Sequence, residues 1–114
     1  MEDCIFCKII KKEIPASTVY EDERIVAFND IHPQAPVHIL LIPKEHYASL
    51  NDIPEEKKDI LNHLLLKARE IAREKEIAEK GYRIVINTAR ESGQEVLHIH
   101  FHLLGGRQMT WPPG

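Results

Sequence analysis

Short apolar runs alternate with turn-forming residues along the chain, and one stretch carries a long helical period. Ile60, Leu61, Leu64, Leu65, Ala68, Ile71 and Ala72 recur at spacings of three and four, which lays one apolar stripe along a helix packed on a sheet. Asp52, Pro54 and Glu55 supply an N-cap acceptor, a first-turn proline and a capping-box carboxylate, while Gly81 offers a left-handed end. The long helix is therefore expected between them, with Glu55, Glu56 and Lys80 suited to its dipole. Thr18 to Glu21 and Arg24 to Asn29 are β-forming runs around Asp22-Glu23, which predicts a tight hairpin. Val37 to Ile42 is almost uniformly apolar, the pattern of a central strand buried on both faces, and Pro43 ends it. Tyr82 to Asn87 and Val96 to Leu104 predict two further strands around the polar loop Thr88 to Glu95, and Ile5 to Lys11 a short helix. About five strands joined by short loops, one long helix and a short N-terminal helix predict an α+β domain on an antiparallel sheet.

Composition narrows what such a domain can do. The 114 residues suit a single domain. With 43% hydrophobic and 29% charged residues, the chain has globular rather than disordered composition. A formal charge of -3 provides no basic footprint, so neither polymeric nucleic acid nor an anionic membrane is expected as partner. The start, Met1-Glu2-Asp3-Cys4, is acidic where a secretory leader is basic, and no run is long and apolar enough to span a bilayer, so the expected location is cytoplasmic. Both cysteines fall in Cys4-x-x-Cys7, which in a reducing compartment reads as half of a metal site or as a redox pair. The redox reading lacks a thioredoxin-like βαβ context, and two free buried cysteines remain an alternative.

His98-Ile99-His100-Phe101-His102 carries the most chemistry. Side chains alternate along a strand, so three imidazoles share one face while Ile99 and Phe101 enter the core. A solvated face would be satisfied by Thr, Lys or Glu and does not explain imidazole three times running. Same-face neighbours lie about 6.8 Å apart, so three ligands in a row cannot converge on one tetrahedral zinc. The row instead suits three separate tasks, with His100 in the middle as a nucleophile. A neutral imidazole can attack phosphorus to give a covalent phosphorus-nitrogen intermediate, and a hydrogen bond from its other ring nitrogen to a carbonyl would fix the required tautomer. No phosphate-binding Gly-x-x-x-x-Gly-Lys-Ser/Thr loop is present, so His102 and backbone amides of the Ser92-Gly93-Gln94 turn are candidate phosphate donors.

His98 to Leu104 resembles the His-x-His-x-His motif of the histidine triad family, and the ending Gly105-Gly106-Arg107-Gln108-Met109-Thr110-Trp111-Pro112-Pro113-Gly114 is similar to its Hint branch. Cys4 to Ile10, Asn29-Asp30-Ile31 and Pro33 to His38 match as well, so the resemblance runs nearly end to end. It implies one domain over residues 1–114, with sheets joined across a homodimer and residues 106–114 as a tail contributing to that dimer. It also implies hydrolysis of purine nucleoside phosphoramidates and related adenylates through a nucleotidyl-histidine. By the same resemblance His100 is the nucleophile, the carbonyl of His98 orients it, His102 contacts the phosphate and His38 completes the catalytic histidines. Asp30 corresponds to the ribose acceptor, Phe28 and Ile31 to walls of the base pocket, and Asn87, Gly93, Gln94, Glu95 and Val96 to the sugar and phosphate surroundings. Trp111 would reach the partner's pocket. Cys4, Cys7, His46 and His98 correspond to ligands of a structural zinc, and no organic cofactor is implied.

Two positions depart from that pattern. Glu95 replaces a hydroxyl residue, so only its backbone amide is expected to serve an anionic substrate, and Thr110 replaces a histidine before the tail tryptophan. Both bear on substrate preference rather than on the chemistry. His63 is expected at the surface of the helix, and His32 shows no partner pattern. The alternative function is a non-catalytic purine-nucleotide-binding regulatory module, against which stands the central imidazole, since binding requires donors rather than a nucleophile. A zinc hydrolase is disfavoured by the row geometry and by the lack of His-Glu-x-x-His.

Overall fold

The computed structural model describes residues 3–114; of the acidic start, Met1 and Glu2 lie outside them. The elements are α1 (Ile5–Ile10), β1 (Thr18–Glu21), β2 (Ile25–Asn29), β3 (Val37–Pro43), α2 (Asp59–Glu74), β4 (Tyr82–Val85) and β5 (Phe101–Gly105). The strands form one antiparallel sheet in the order β1-β2-β3-β5-β4, so β3, the apolar run, lies at its centre. One face carries α2, whose Ile60, Leu64, Ala68, Ile71 and Ala72 pack with Ile39, Leu41, Ile99, Phe101 and Leu103. The other face carries α1, where Phe6 packs with Val26, Phe28, Leu40 and Ile42. The alternation read from the sequence therefore sends Ile99 and Phe101 toward α2. No helix among the described residues is long and apolar enough to cross a membrane.

The long helix is shorter at both ends than its apparent signals. Ser49, not Asp52, is the first cap: its Oγ accepts from the Asn51 amide (3.1 Å) and donates to Asp52 Oδ2 (2.9 Å), opening a 3-10 turn at Leu50–Asp52. Pro54 holds Ile53 extended, as a proline does to its predecessor, and begins a second 3-10 turn at Glu55–Lys57. At the other end the chain leaves the helix at Lys75. Ile77 N–H donates to Ala72 O (3.0 Å) and Glu76 N–H to Arg73 O (3.1 Å), with Glu76 in the left-handed region at φ 61°. This is a Schellman end closed by the buried Ile77, and its hydrophobic contact sets the stop despite a residue that disfavours positive φ. Gly81, with φ 113°, turns the chain into β4 instead.

The strand predicted over Val96 to Leu104 also begins late. Ile99 N–H is taken by Tyr47 O (2.8 Å) and Pro43 O accepts from the His98 ring (2.8 Å), so residues before Phe101 leave the β3 ladder. The His98 and His100 rings nevertheless face α1, each against Phe6.

Asp22, in the turn between β1 and β2, ties that hairpin to α2. It accepts from the Tyr20 hydroxyl (2.7 Å), the amides of Arg24 (2.7 Å) and Ile25 (2.9 Å), and lies 2.7 Å from His63 Nε2. His63, read from the sequence as a surface histidine of the helix rather than a ligand, pairs with this carboxylate. Burial by itself would raise the Asp22 carboxyl, but these donors outweigh it and hold it well below the usual carboxylate range. A carboxylate lowered on folding stabilises fully above its unfolded pKa of about 3.9, and that contribution is lost as pH falls below it. Asp22→Asn should therefore cost about 1–2 kcal/mol at pH 5. The gap between variant and parent should narrow by about 1 kcal/mol at pH 3. Urea midpoints at the two pH values check this; an undiminished gap would refute it.

Candidate functional site

Five of the seven histidines gather beneath α1 in two adjoining groups. β3 delivers His38 and the turn after it His46; β5 delivers His102, and the extended segment before it His98 and His100. Phe6, on the turn of helix enclosed by the two cysteines, stands edge-on to both His98 and His100, with ring centroids 5.8 Å and 5.1 Å away. No sequence signal marked Phe6 beyond its place between Cys4 and Cys7.

His100 is 5% exposed. Its Nδ1–H donates to His98 O (2.8 Å), which leaves the Nε2 lone pair free. Burial pushes its pKa down, only partly opposed by that bond and by the Asp30 and Glu95 charges, so the ring is held neutral. His102 lies beside it, ring centroids 4.9 Å apart. The protons of the neighbouring pair follow from one backbone group. Gln34 N–H donates to His38 Nδ1 (3.0 Å), so neutral His38 carries its proton on Nε2. That Nε2–H faces His102 Nδ1 at 2.9 Å, which makes Nδ1 the acceptor and puts the His102 proton on Nε2. His102 Nε2 is buried and has no partner. Burial lowers His38, and burial with the adjacent His100 and His38 brings His102 down to about 4, so both rings are neutral near pH 7. The site thus presents a bare nitrogen on His100 next to an unanswered N–H on His102, the pairing needed to attack phosphorus while holding one of its oxygens.

Asp30 Oδ1 accepts from the His32 amide (2.8 Å), and Oδ2 lies 3.4 Å from His38 Nε2. Asp30, His38 and His102 bring possible ligand atoms within 4.8 Å. A metal there would need the His38 Nε2 lone pair, which the Gln34 hydrogen bond denies it.

The metal group lies on the other side of Phe6. Cys4, Cys7, His46 and His98 place Sγ and Nδ1 atoms within 4.8 Å of one another. His98 Nδ1 is 3.3 Å from Cys4 Sγ, 3.7 Å from Cys7 Sγ and 3.1 Å from His46 Nδ1; Cys7 Sγ is 3.4 Å from His46 Nδ1. A tetrahedral ion with bonds of about 2.0–2.1 Å to nitrogen and about 2.3 Å to sulfur separates its ligands by about 3.3–3.8 Å; the three sulfur-nitrogen distances fall in that range and the His46–His98 pair is slightly closer, so the donor set suits such an ion. His98 Nε2–H donates to Pro43 O (2.8 Å), which turns Nδ1 toward the cluster, the outer contact expected of a ligating imidazole. A hollow of about 480 Å³ beside Cys4, His46, Glu95 and Val96 gives access from solvent.

Other residues named from the sequence are placed less centrally. Phe28 is buried against Phe6, ring centroids 5.6 Å apart, whereas Ile31 is 84% exposed. Asn87 is half-buried. The Gly93 and Gln94 amides, candidate phosphate donors, are committed to Arg90 O (3.0 Å) and Ala89 O (3.4 Å). The Gln94 side chain is committed as well, accepting from the Ala89 amide and donating to Ala48 O and Val96 O. It braces the loop that carries Glu95 and Val96. Trp111 is 81% exposed, with the Arg83 guanidinium 5.9 Å from its ring centre.

A buried row of neutral imidazoles on an antiparallel sheet, beside a Cys2His2 cluster, defines the class of protein. Residues 11–109 match the model of the HIT domain, and the chain belongs to the HIT family. It is 54% identical to the adenylylsulfatase HINT1 of Arabidopsis thaliana, over 96% of this chain and 76% of that one. It is equally identical to a 14 kDa zinc-binding protein of Zea mays, over 96% of this chain and 87% of that one. The crystal structure of a HIT family hydrolase from Legionella pneumophila superposes with a TM-score of 0.96 at 54% identity, covering 98% of this chain and 100% of that chain.

Proposed function

We propose that the chain is a nucleotide hydrolase that cleaves purine nucleoside 5'-phosphoramidates and related adenylates through a nucleotidyl group on His100. The observation that carries this reading is the proton arrangement: a free lone pair on His100 Nε2 beside the buried, unpartnered N–H of His102. His100 Nε2 attacks phosphorus, a phosphorus-nitrogen bond forms, and the bond to the leaving amine or anion breaks with its electron pair. Charge gathering on the phosphoryl oxygens meets the His102 N–H and the backbone amides of Glu95 and Val96, donors fixed in advance of the reaction. Water then displaces His100 to release the nucleoside monophosphate. Asp30, with a carboxylate oxygen toward the site, accepts from the ribose hydroxyls; Phe28 and Ile31 border the base, and Asn87 the sugar. An adenylylsulfatase among the relatives supports adenylates as substrates.

The metal group would hold zinc through Cys4, Cys7, His46 and His98. With four protein ligands the ion has no open position, so it stabilises the fold and joins α1 to the segment carrying His98. A homodimer is supported by β4, an edge strand, and by the exposed Leu65, Leu66 and Trp111.

His100→Asn should lower turnover by roughly 10⁴-fold or more while nucleotide binding is kept, because asparagine retains a donor for His98 O but has no attacking lone pair. Mass spectrometry of the parent mixed with an adenosine phosphoramidate should reveal an adenylyl adduct absent from the variant. Equal turnover would overturn the nucleophile; purine binding without hydrolysis by either protein would favour a regulatory binding module. Protein purified without chelator should contain one zinc per chain by elemental analysis. Cys4→Ser with Cys7→Ser should remove it and lower the thermal midpoint by on the order of 10 °C. Sedimentation at micromolar concentration should give a dimer, and a monomer would rule out any contribution of Trp111 to a second pocket.

A further inference from the structure

The Gln34 amide decides where the His38 and His102 protons lie, and it sits in a loop between Pro33 and Pro36 with no regular structure of its own. What holds it is the chain after β5. Gly106 adopts φ 93°, and an added Cβ there would come within 2.9 Å of Pro36 Cβ. Only glycine lets β5 end this close to the loop, and the turn sends the next residue back across it. Arg107 Nε–H donates to Gln34 O at 2.8 Å, while its Nη1 donates to Gln108 O at 3.2 Å. Four groups then stand in series: the Arg107 guanidinium on the Gln34 carbonyl, the Gln34 amide on His38 Nδ1, His38 Nε2–H on His102 Nδ1, and the free His102 Nε2–H.

We infer that Arg107 is a positioning residue for the reaction proposed above: by holding the carbonyl of the Gln34–Ala35 peptide it fixes Gln34, and across its Cα the adjoining Pro33–Gln34 peptide, whose N–H sets the tautomers of His38 and His102. The inference rests on that reading only for its effect on rate; the proton placement stands apart from it. The requirement is directional. If the Gln34 N–H turns away, His38 can carry its proton on Nδ1, His38 Nε2 becomes an acceptor, and His102 can donate Nδ1–H to it. His102 Nε2 would then face the substrate with a lone pair, repelling the phosphoryl oxygen it should hold. Arg107 is exposed and its guanidinium bonds to the carbonyls of Gln34 and Gln108, so its influence on the imidazoles travels through the loop.

Arg107→Met keeps the aliphatic stem and removes the donors, and long-range proton-nitrogen NMR of ligand-free protein reads the ring tautomers directly. In the parent, His38 and His102 should both be protonated on Nε2. In Arg107→Met both should become mixtures, the single-turnover rate on an adenosine phosphoramidate should fall about tenfold, and AMP affinity should change less than twofold. Arg107→Lys, which restores a donor to the Gln34 carbonyl, should recover much of both signals. Unaltered tautomers in Arg107→Met overturn the inference, even if the rate falls. If the parent hydrolyses no phosphoramidate, the functional reading fails, while the tautomer comparison still decides the role of Arg107.

Discussion

The hydrogen bond from His100 Nδ1–H to the His98 carbonyl is the contact on which both halves of the site depend. It joins residues two apart in an extended segment, so it forms only if the backbone at His98 is held with its carbonyl toward the α1 side. Three anchors hold it there: the His98 ring on Pro43 O, the Ile99 amide on Tyr47 O, and the approach of His98 Nδ1 to the sulfurs of α1. The same residue thus offers its ring to the metal group and its carbonyl to the His100 imidazole. Departure from the β3 ladder before Phe101 is the structural consequence, because a regular strand would turn that carbonyl into the sheet.

Burial gives the imidazoles their chemical character. Burial, of His98 and His100 against Phe6 and of His102 between His38 and His100, drives all three toward the neutral form, and neutral imidazole has one donor and one acceptor. Each proton is then assigned by its neighbours: the His98 carbonyl for His100, Pro43 for His98, and the Gln34 amide for His38 and, through it, His102. The cost of this order is visible at His102 Nε2. An unpartnered buried N–H destabilises by about 1–3 kcal/mol, and a fold tolerates such a group where a ligand is to answer it. The well-packed α2 face of the sheet, with Leu64, Ala68, Leu41 and Leu103 fully buried, supplies the compensating stability.

Much of this was legible in residue patterns, and the misreadings have local causes. Alternation placed the imidazoles opposite Ile99 and Phe101, and the uniformly apolar Val37 to Ile42 marked the central strand. The helix ends were misplaced because Asp52-Ile53-Pro54-Glu55 and Gly81 serve neighbouring turns, while Ser49 caps a 3-10 turn ahead of the helix and Glu76 takes the left-handed position that lets Ile77 be buried. Phe6 and Arg107 act through contacts with residues far along the chain, which spacing does not reveal.

By itself the sequence determined the elements, the row of imidazoles and the family to which they belong, because these follow from periodicity and from residue types at fixed intervals. Tertiary structure alone decided which nitrogen of each imidazole carries the proton, and how closely the Sγ and Nδ1 atoms of Cys4, Cys7, His46 and His98 approach one another. Those properties depend on carbonyls and amides brought together from β3, β5, α1 and the Pro33 to Pro36 loop. A backbone amide is chemically the same at every residue, so its role is written only in where the fold puts it.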